Sequence, residues 1–324
     1  MLSAYIDPGQ VLLDARFPLP LSAPFTLTEA RRAGLHPTQV SGLCEAGILR
    51  RLLHGVYVVA QIPDSLELRS AALRLVVPSD AVVTDRTAGW LHGAPMVLAP
   101  NDHLATPPVS VFLNRKGARL RNGLARSGQR LLRDEDVVEI NGVLVTTPVR
   151  TACDLGRLLH RDSALAALDA MLRLGRFDSD ELWDSIGHLK GMRGVRQLRA
   201  LAPLADPRAE SMGESVLRLR WLDIPSLPRP ELQIPVARPG RWPYRVDLGV
   251  EELLMGFEYD GEEWHRRTAR QIERDRGRRA WLRDERDWLI CPVTKVNVFG
   301  AHRDVEDLLH AGFAEALRRQ RRIR

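Results

Sequence analysis

Apolar positions early in the chain recur first at helical and then at strand spacing. Thr26-Leu27-Thr28-Glu29 is a capping box, in which Thr26 and Glu29 satisfy each other's free backbone amides. It predicts a helix that Gly34 ends. His36-Pro37-Thr38 opens a second helix running to about Ala46, stopped by Gly47. Ile48 to Leu53 and Gly55 to Val59 then read as two strands about a turn at His54-Gly55. Helix, turn, helix and hairpin in that order predict a winged helix over 1–62.

The period stays helical from Asp64 to Gly93, through Leu66, Leu68, Leu73 and Leu75 and then Ala88, Trp90 and Leu91. It turns strand-like between about Val109 and Thr147. Asn141-Gly142, set between Val137 to Ile140 and Val143 to Val145, calls for a two-residue type I′ hairpin. Thr147-Pro148 caps a helix that carries Arg150 and Asp154 four residues apart, close enough to pair. Helices near Ser163 to Leu174, Ser179 to Leu189 and Val195 to Leu204 complete an α+β middle domain over 63–205. Ala205-Asp206-Pro207 is the preferred boundary. The third domain, 206–324, reads as a helix from about Ala209 to Leu222, strands near Leu232 to Val236, Tyr244 to Val250 and Leu254 to Asp260, an arginine-rich helix, a strand Trp288 to Val293 and a closing helix Arg303 to Arg319. The whole is an α/β multidomain chain.

Composition narrows the class. With 324 residues, 44% hydrophobic and 27% charged, the chain folds rather than remaining disordered. It has no run of about 18 apolar residues, so no membrane partner is expected. Asp7 and Asp14 stand where a secretory leader would be basic, so a cytoplasmic protein is expected. Cys44, Cys153 and Cys291 lie too far apart in sequence for a metal knuckle. The net charge of +6 is modest, which puts the weight on local clusters.

One such cluster is acidic. Glu258 and Asp260 stand two apart in one strand and share a sheet face, an arrangement that costs energy unless a cation lies between them. Asp247, in the preceding strand, comes beside them through the turn at Glu251-Glu252. Three carboxylates meeting at the edge of a core suit magnesium or manganese. Glu214, in the helix before the sheet, can face the same point, and His265 follows closely enough to serve as a general acid or base. The next segment is basic: Arg266, Arg270, Arg274 and Arg278 repeat every four residues, and residues 266–286 hold nine basic and four acidic side chains. Such a stripe suits nucleic-acid phosphates. Trp281 and Trp288 read as core and Trp264 as exposed.

In order, Tyr244-Arg245-Val246-Asp247-Leu248, Phe257-Glu258-Tyr259-Asp260-Gly261 with His265, and Arg274-Asp275-Arg276-Gly277-Arg278 resemble the very-short-patch-repair-like endonucleases of the PD-(D/E)xK superfamily, over about Ala209 to Leu309. The resemblance implies a sheet flanked by helices, a divalent metal at Asp247, Glu258 and Asp260, Glu214 assisting, His265 near the scissile phosphate, and an orienting role for Asp275. Asp260 stands where the superfamily often has a lysine, so water activation would fall to the metal or to His265. The implied activity is phosphodiester hydrolysis by metal-bound water, on DNA or, with the same chemistry, RNA.

The N-terminal module, through Leu27-Thr28-Glu29-Ala30 and Leu53-His54-Gly55-Val56-Tyr57, resembles the winged helix of AbiEi-type antitoxins from toxin-antitoxin systems. Ala88-Gly89-Trp90-Leu91-His92-Gly93 and Thr147-Pro148-Val149-Arg150-Thr151-Ala152 resemble the remainder of that family. This implies DNA as partner, read by Thr38, Gln39 and Ser41 at the start of the second helix, with Arg31, Arg32, Arg50 and Arg51 against phosphates. A cognate toxin or a second copy of the chain are further expected partners. The leading expectation is a magnesium-dependent DNA endonuclease targeted or regulated by its winged helix. The alternative is a non-catalytic antitoxin-like transcriptional repressor with a degenerate nuclease fold.

Overall fold

The computed structural model describes residues 13, 17–102, 109–113, 125–261 and 269–323. Its contacts divide the chain into two compact units, Met1–Met96 with Asn101–Asp154, and Val97–Pro100 with Leu155–Arg324. The boundary expected at Ala205-Asp206-Pro207 falls inside the second unit.

The first unit opens with β1 (Phe25–Thr26), α1 (Leu27–Arg32), α2 (Pro37–Glu45), β2 (Leu49–Leu53) and β3 (Val56–Val59), whose strands pair in the order β1-β3-β2. The capping box forms: Glu29 N donates to Thr26 Oγ1 at 3.1 Å, and Thr26 N donates to the Glu29 carboxylate at 2.7 Å. Ala30, Leu35, Val40 and Leu43 bury against Phe25, Leu49 and Val59, which holds both helices on the hairpin.

Next come α3 (Leu66–Arg74), β4 (Ala81–Val83), α4 (Asp85–Leu91), β5 (Val109–Leu113), β6 (Ala125–Gln129), β7 (Val137–Ile140) and β8 (Val143–Thr146), forming a five-stranded sheet in the order β6-β5-β4-β8-β7. Strand β4 interrupts the stretch expected to be helical from Asp64 to Gly93. Ala81-Val82-Val83 is a short apolar run, which periodicity alone does not assign, and pairing with β5 and β8 makes it a strand. Asn141 and Gly142 have φ of 47° and 78°, the two positive values of a type I′ turn.

Helix α5 (Pro148–Leu158) crosses the division between the units. Near its start, buried Arg150 reaches Asp154 at 3.1 Å and Asp136 at 2.6 Å. Asp154 also takes Arg130, which pairs with Asp85 at 2.6 Å. Each buried charge has an opposite neighbour, the condition under which such a group is tolerated.

The second unit continues with α6 (Arg161–Leu172), α7 (Ser179–His188), α8 (Val195–Leu201), α9 (Met212–Leu222), β9 (Glu231–Arg238), β10 (Arg241–Val250), β11 (Met255–Asp260), α10 (Ala269–Arg286), β12 (Leu289–Thr294), α11 (Lys295–Val298) and α12 (Val305–Ile323). Helix α6 is buried continuously from Ala164 to Leu172, as a helix enclosed by neighbours is. It is pinned to α9 by a buried Arg218 to Asp169 pair at 2.7 Å. The expected boundary at 205 lies between these two helices.

The four strands lie in the order β12-β11-β10-β9, with β9, β10 and β11 antiparallel and β12 parallel to β11 after the α10 crossover. Phe257, Leu248 and Met255 bury against Val216, Leu217 and Trp221 of α9 and Leu309 and Ala316 of α12. On the other face Ile234, Val236 and Val246 bury against Leu282 of α10 and Trp288. The expected sheet flanked by helices is therefore present over these residues.

Candidate functional site

Regular strand alternation would put Val246 and Leu248 on one face, yet they pack in the two opposite clusters, as do Ile234 and Leu232 on β9. The reversal falls at Asp247 and Gln233, and Gln233 has the left-handed φ of 54°. Asp247 thus sits where the chain changes face, between carboxylates that approach from two sides.

Glu214 comes from α9. Ser211 caps that helix through the Glu214 amide at 3.2 Å, and the Glu214 carboxylate accepts the Ser211 hydroxyl at 2.8 Å, Glu210 N at 2.9 Å and Gln233 Nε2 at 3.1 Å. Gly213 lets the Tyr259 ring lie on the helix, since a Cβ there would stand 2.0 Å from the ring. Burial drives the Tyr259 hydroxyl up to about 12. Its backbone amide donates to Asp247 Oδ2 at 3.1 Å.

Glu258 and Asp260 face α10 instead. Glu258 is only 1% exposed and Asp260 7%. Glu258 Oε2 accepts Arg279 Nε at 3.0 Å and pairs with Arg278 at 2.8 Å, while Arg279 Nη2 reaches Asp260 at 2.6 Å. The cation required between the two strand carboxylates is thus a guanidinium, whose fork matches two acidic groups at once. Glu258 Oε1 is buried with no hydrogen-bond partner.

These contacts set the charge states. Burial raises Asp247 most, then the charges of Glu214 and Glu258, against the Tyr259 amide and Arg278, and the result is about 7. Glu214 is also raised, first by burial, with its amide and hydroxyl donors opposing. Asp247 therefore exchanges a proton near neutrality, a perturbation that marks functional sites more often than ordinary surfaces.

A metal held by Asp247, Glu258 and Asp260 does not fit these side-chain positions. Among the described residues no three acidic, His or Cys side chains are disposed to share a metal ion. Glu258 and Asp260 spend their oxygens on Arg279 and Arg278. Arg278, expected in the phosphate stripe, is correspondingly turned inward, where it also donates to Arg245 O at 3.1 Å. Arg274 is exposed, as a phosphate contact needs. His265, Arg266 and Trp264 lie outside the described residues, as does the side chain of Arg270. Trp288 is buried, and Trp281 packs edge-on to Tyr244 at 5.5 Å, as a core reading requires. Arg279 is a site residue that the four-residue arginine repeat does not single out. Its signal was the unmet need for a cation beside Glu258 and Asp260, with two consecutive arginines available in the crossover helix.

In the first unit, Thr38 and Ser41 project from α2 into solvent. Gln39 accepts His36 N at 2.7 Å through Oε1, so its carboxamide closes a capping box and keeps its amide hydrogens for other partners. Arg51 is exposed and bonded to His54. The Arg50 guanidinium donates to Ile62 O at 2.8 Å and ties down the chain leaving the hairpin.

These two helices and the paired hairpin form one module. Residues 23–60, which span it, match the family described as transcriptional regulator, AbiEi antitoxin, and residues 81–204 match the AbiEi antitoxin C-terminal domain. Two uncharacterized proteins of Mycobacterium tuberculosis, from strains CDC 1551 / Oshkosh and H37Rv, are each 37% identical over 252 residues, covering 76% of this chain and 86% of theirs. The chain belongs to one family with these mycobacterial proteins and carries both AbiEi antitoxin domains. Neither domain match reaches the carboxylate strands, and nothing in these matches supports an endonuclease domain, so the expected order of the two readings is reversed: the regulator leads. No described helix is long and apolar enough to cross a membrane.

Proposed function

We propose that the protein is an AbiEi-type transcriptional regulator that binds DNA through α2 and the β2 to β3 hairpin and acts as the antitoxin to a cognate toxin. The observation that carries this reading is the exposed start of α2, with Thr38 and Ser41 in solvent on a helix fixed by its own cap and buried face. Base edges are met at that end of a recognition helix, and Arg31, Arg32 and Arg51 are exposed beside it for phosphates. A gel-shift assay on DNA upstream of the coding sequence, run with chelator, tests it. Retarded DNA that is released by the Thr38→Ala/Ser41→Ala double variant is expected; no retardation of any such fragment refutes the reading.

A second reading, a magnesium- or manganese-dependent endonuclease, is favoured by one observation, the protonatable Asp247 flanked by Glu214 and Glu258. It requires Arg278 and Arg279 to yield Glu258 and Asp260. Nicking of supercoiled DNA with Mg²⁺ that disappears in Asp247→Ala and in Glu258→Ala would establish it, and its absence leaves the regulator.

A further inference from the structure

The most exposed large hydrophobic side chain among the described residues is Trp242, at 87%. It stands on the β9 to β10 hairpin, where Arg238 and Arg241 are direct cross-strand partners and a bulge follows between Arg241 and Tyr244. Like charges placed opposite each other repel, and from Leu232 to Val246 the chain has three arginines and no acidic residue. Bulges re-aim side chains, and Pro243 supplies no amide to continue the ladder. The base of this hairpin is fixed. Arg238 lies over the Tyr244 ring at 3.7 Å, Tyr244 meets Trp281 edge-on, and Arg286 lies over Trp281 at 5.1 Å. Arg238 Nε also bonds Trp242 O at 2.7 Å, and Arg286 bonds Ala237 O at 2.9 Å. The tip therefore presents the Trp242 indole and the Arg241 side chain, beside an Arg238 guanidinium seated on the Tyr244 ring.

We propose that this hairpin tip is a contact for a single nucleic-acid strand, with Trp242 stacking on an unpaired base and Arg241 and Arg238 against the flanking phosphates. An anion relieves the Arg238 to Arg241 repulsion, and an aromatic face takes any base without regard to sequence. Arg245 adds little, since it pairs with Glu210 at 2.8 Å. The proposal does not depend on the winged-helix reading, which concerns duplex DNA and other residues.

The test is fluorescence anisotropy of a labelled oligothymidylate with the full chain over a range of salt. Trp242→Ala is expected to weaken binding by about 5- to 150-fold, the usual loss for one stacked base. Trp242→Phe should retain most of the affinity. Arg241→Gln should flatten the slope of log affinity against log salt by about 0.7, one phosphate released from a single strand. The thermal melt should not move in any of these variants, because the side chains changed are at the surface. Trp242→Leu, which keeps apolar bulk without an aromatic face, guards against a folding defect and should bind as weakly as Trp242→Ala. Unchanged affinity and slope in Trp242→Ala and Arg241→Gln overturn the proposal. So does poly-glutamate binding with equal affinity and equal sensitivity to Trp242→Ala, which would mean an acidic protein partner. Thr38→Ala/Ser41→Ala should leave oligothymidylate binding unaltered, which separates this failure from failure of the regulator.

Discussion

Asp247→Asn is expected to make the protein more stable, and only above a defined pH. The folded state holds Asp247 at about 7 against an ordinary 3.8, so between those values the folded chain has taken up a proton that the unfolded chain has not. Stability then falls as pH rises through that window. At about 1.4 kcal/mol per pKa unit the rise corresponds to roughly 4 kcal/mol, fully present above pH 7. Burial is the largest cause of that rise and also costs the polar asparagine something, so the substitution recovers about half, ~2 kcal/mol. The asparagine keeps an oxygen for the Tyr259 amide, whose bond at 3.1 Å is thereby preserved. Melting followed by circular dichroism should show the variant ~4 to 8 °C above wild type at pH 8, at about 2–4 °C per kcal/mol for a unit of this size. The gap should close by pH 4. A variant that melts below wild type at pH 8, or a gap independent of pH, would refute the burial and carboxylate crowding from which the figure comes.

Other consequences follow from the same geometry. Arg279→Ala strips the bidentate partner from buried Glu258 and Asp260 and should cost about 3 to 5 kcal/mol in urea unfolding; a loss under ~1 kcal/mol would mean that Arg278 alone suffices. Arg50→Ala should lower the melting temperature without changing the salt dependence of DNA binding, because its guanidinium serves the Ile62 carbonyl. Gly194 has φ 78° and an added Cβ would stand 1.8 Å from the Arg157 carbonyl oxygen. Gly194→Ala should therefore destabilise the second unit by more than ~1 kcal/mol, measured by denaturant titration. If Mg²⁺ binds at the carboxylates, millimolar Mg²⁺ should raise the wild-type melt at pH 8 and leave Asp247→Asn unmoved; equal shifts in both would place the ion elsewhere.

Local chemistry made much of this protein legible in its sequence. The cap at Thr26, the positive-φ turn at Asn141-Gly142 and the pairing of Arg150 with Asp154 depend on residues a few positions apart. Neighbours in sequence have little freedom to be elsewhere, so pattern suffices. The order of strands and helices around the carboxylates was legible for the same reason. Three things were settled only by packing between distant segments. Ala81-Val82-Val83 became a strand because β5 and β8 were there to pair with it. The helices on either side of residue 205 are tied together because Arg218 finds Asp169 across 49 positions. The cation that Glu258 and Asp260 demanded turned out to be Arg279, brought back over the sheet by the crossover helix. Sequence stated the electrostatic need, since two acids on one strand face repel wherever they are. Which positive group meets it is a question of distance in space, and the fold alone sets that distance.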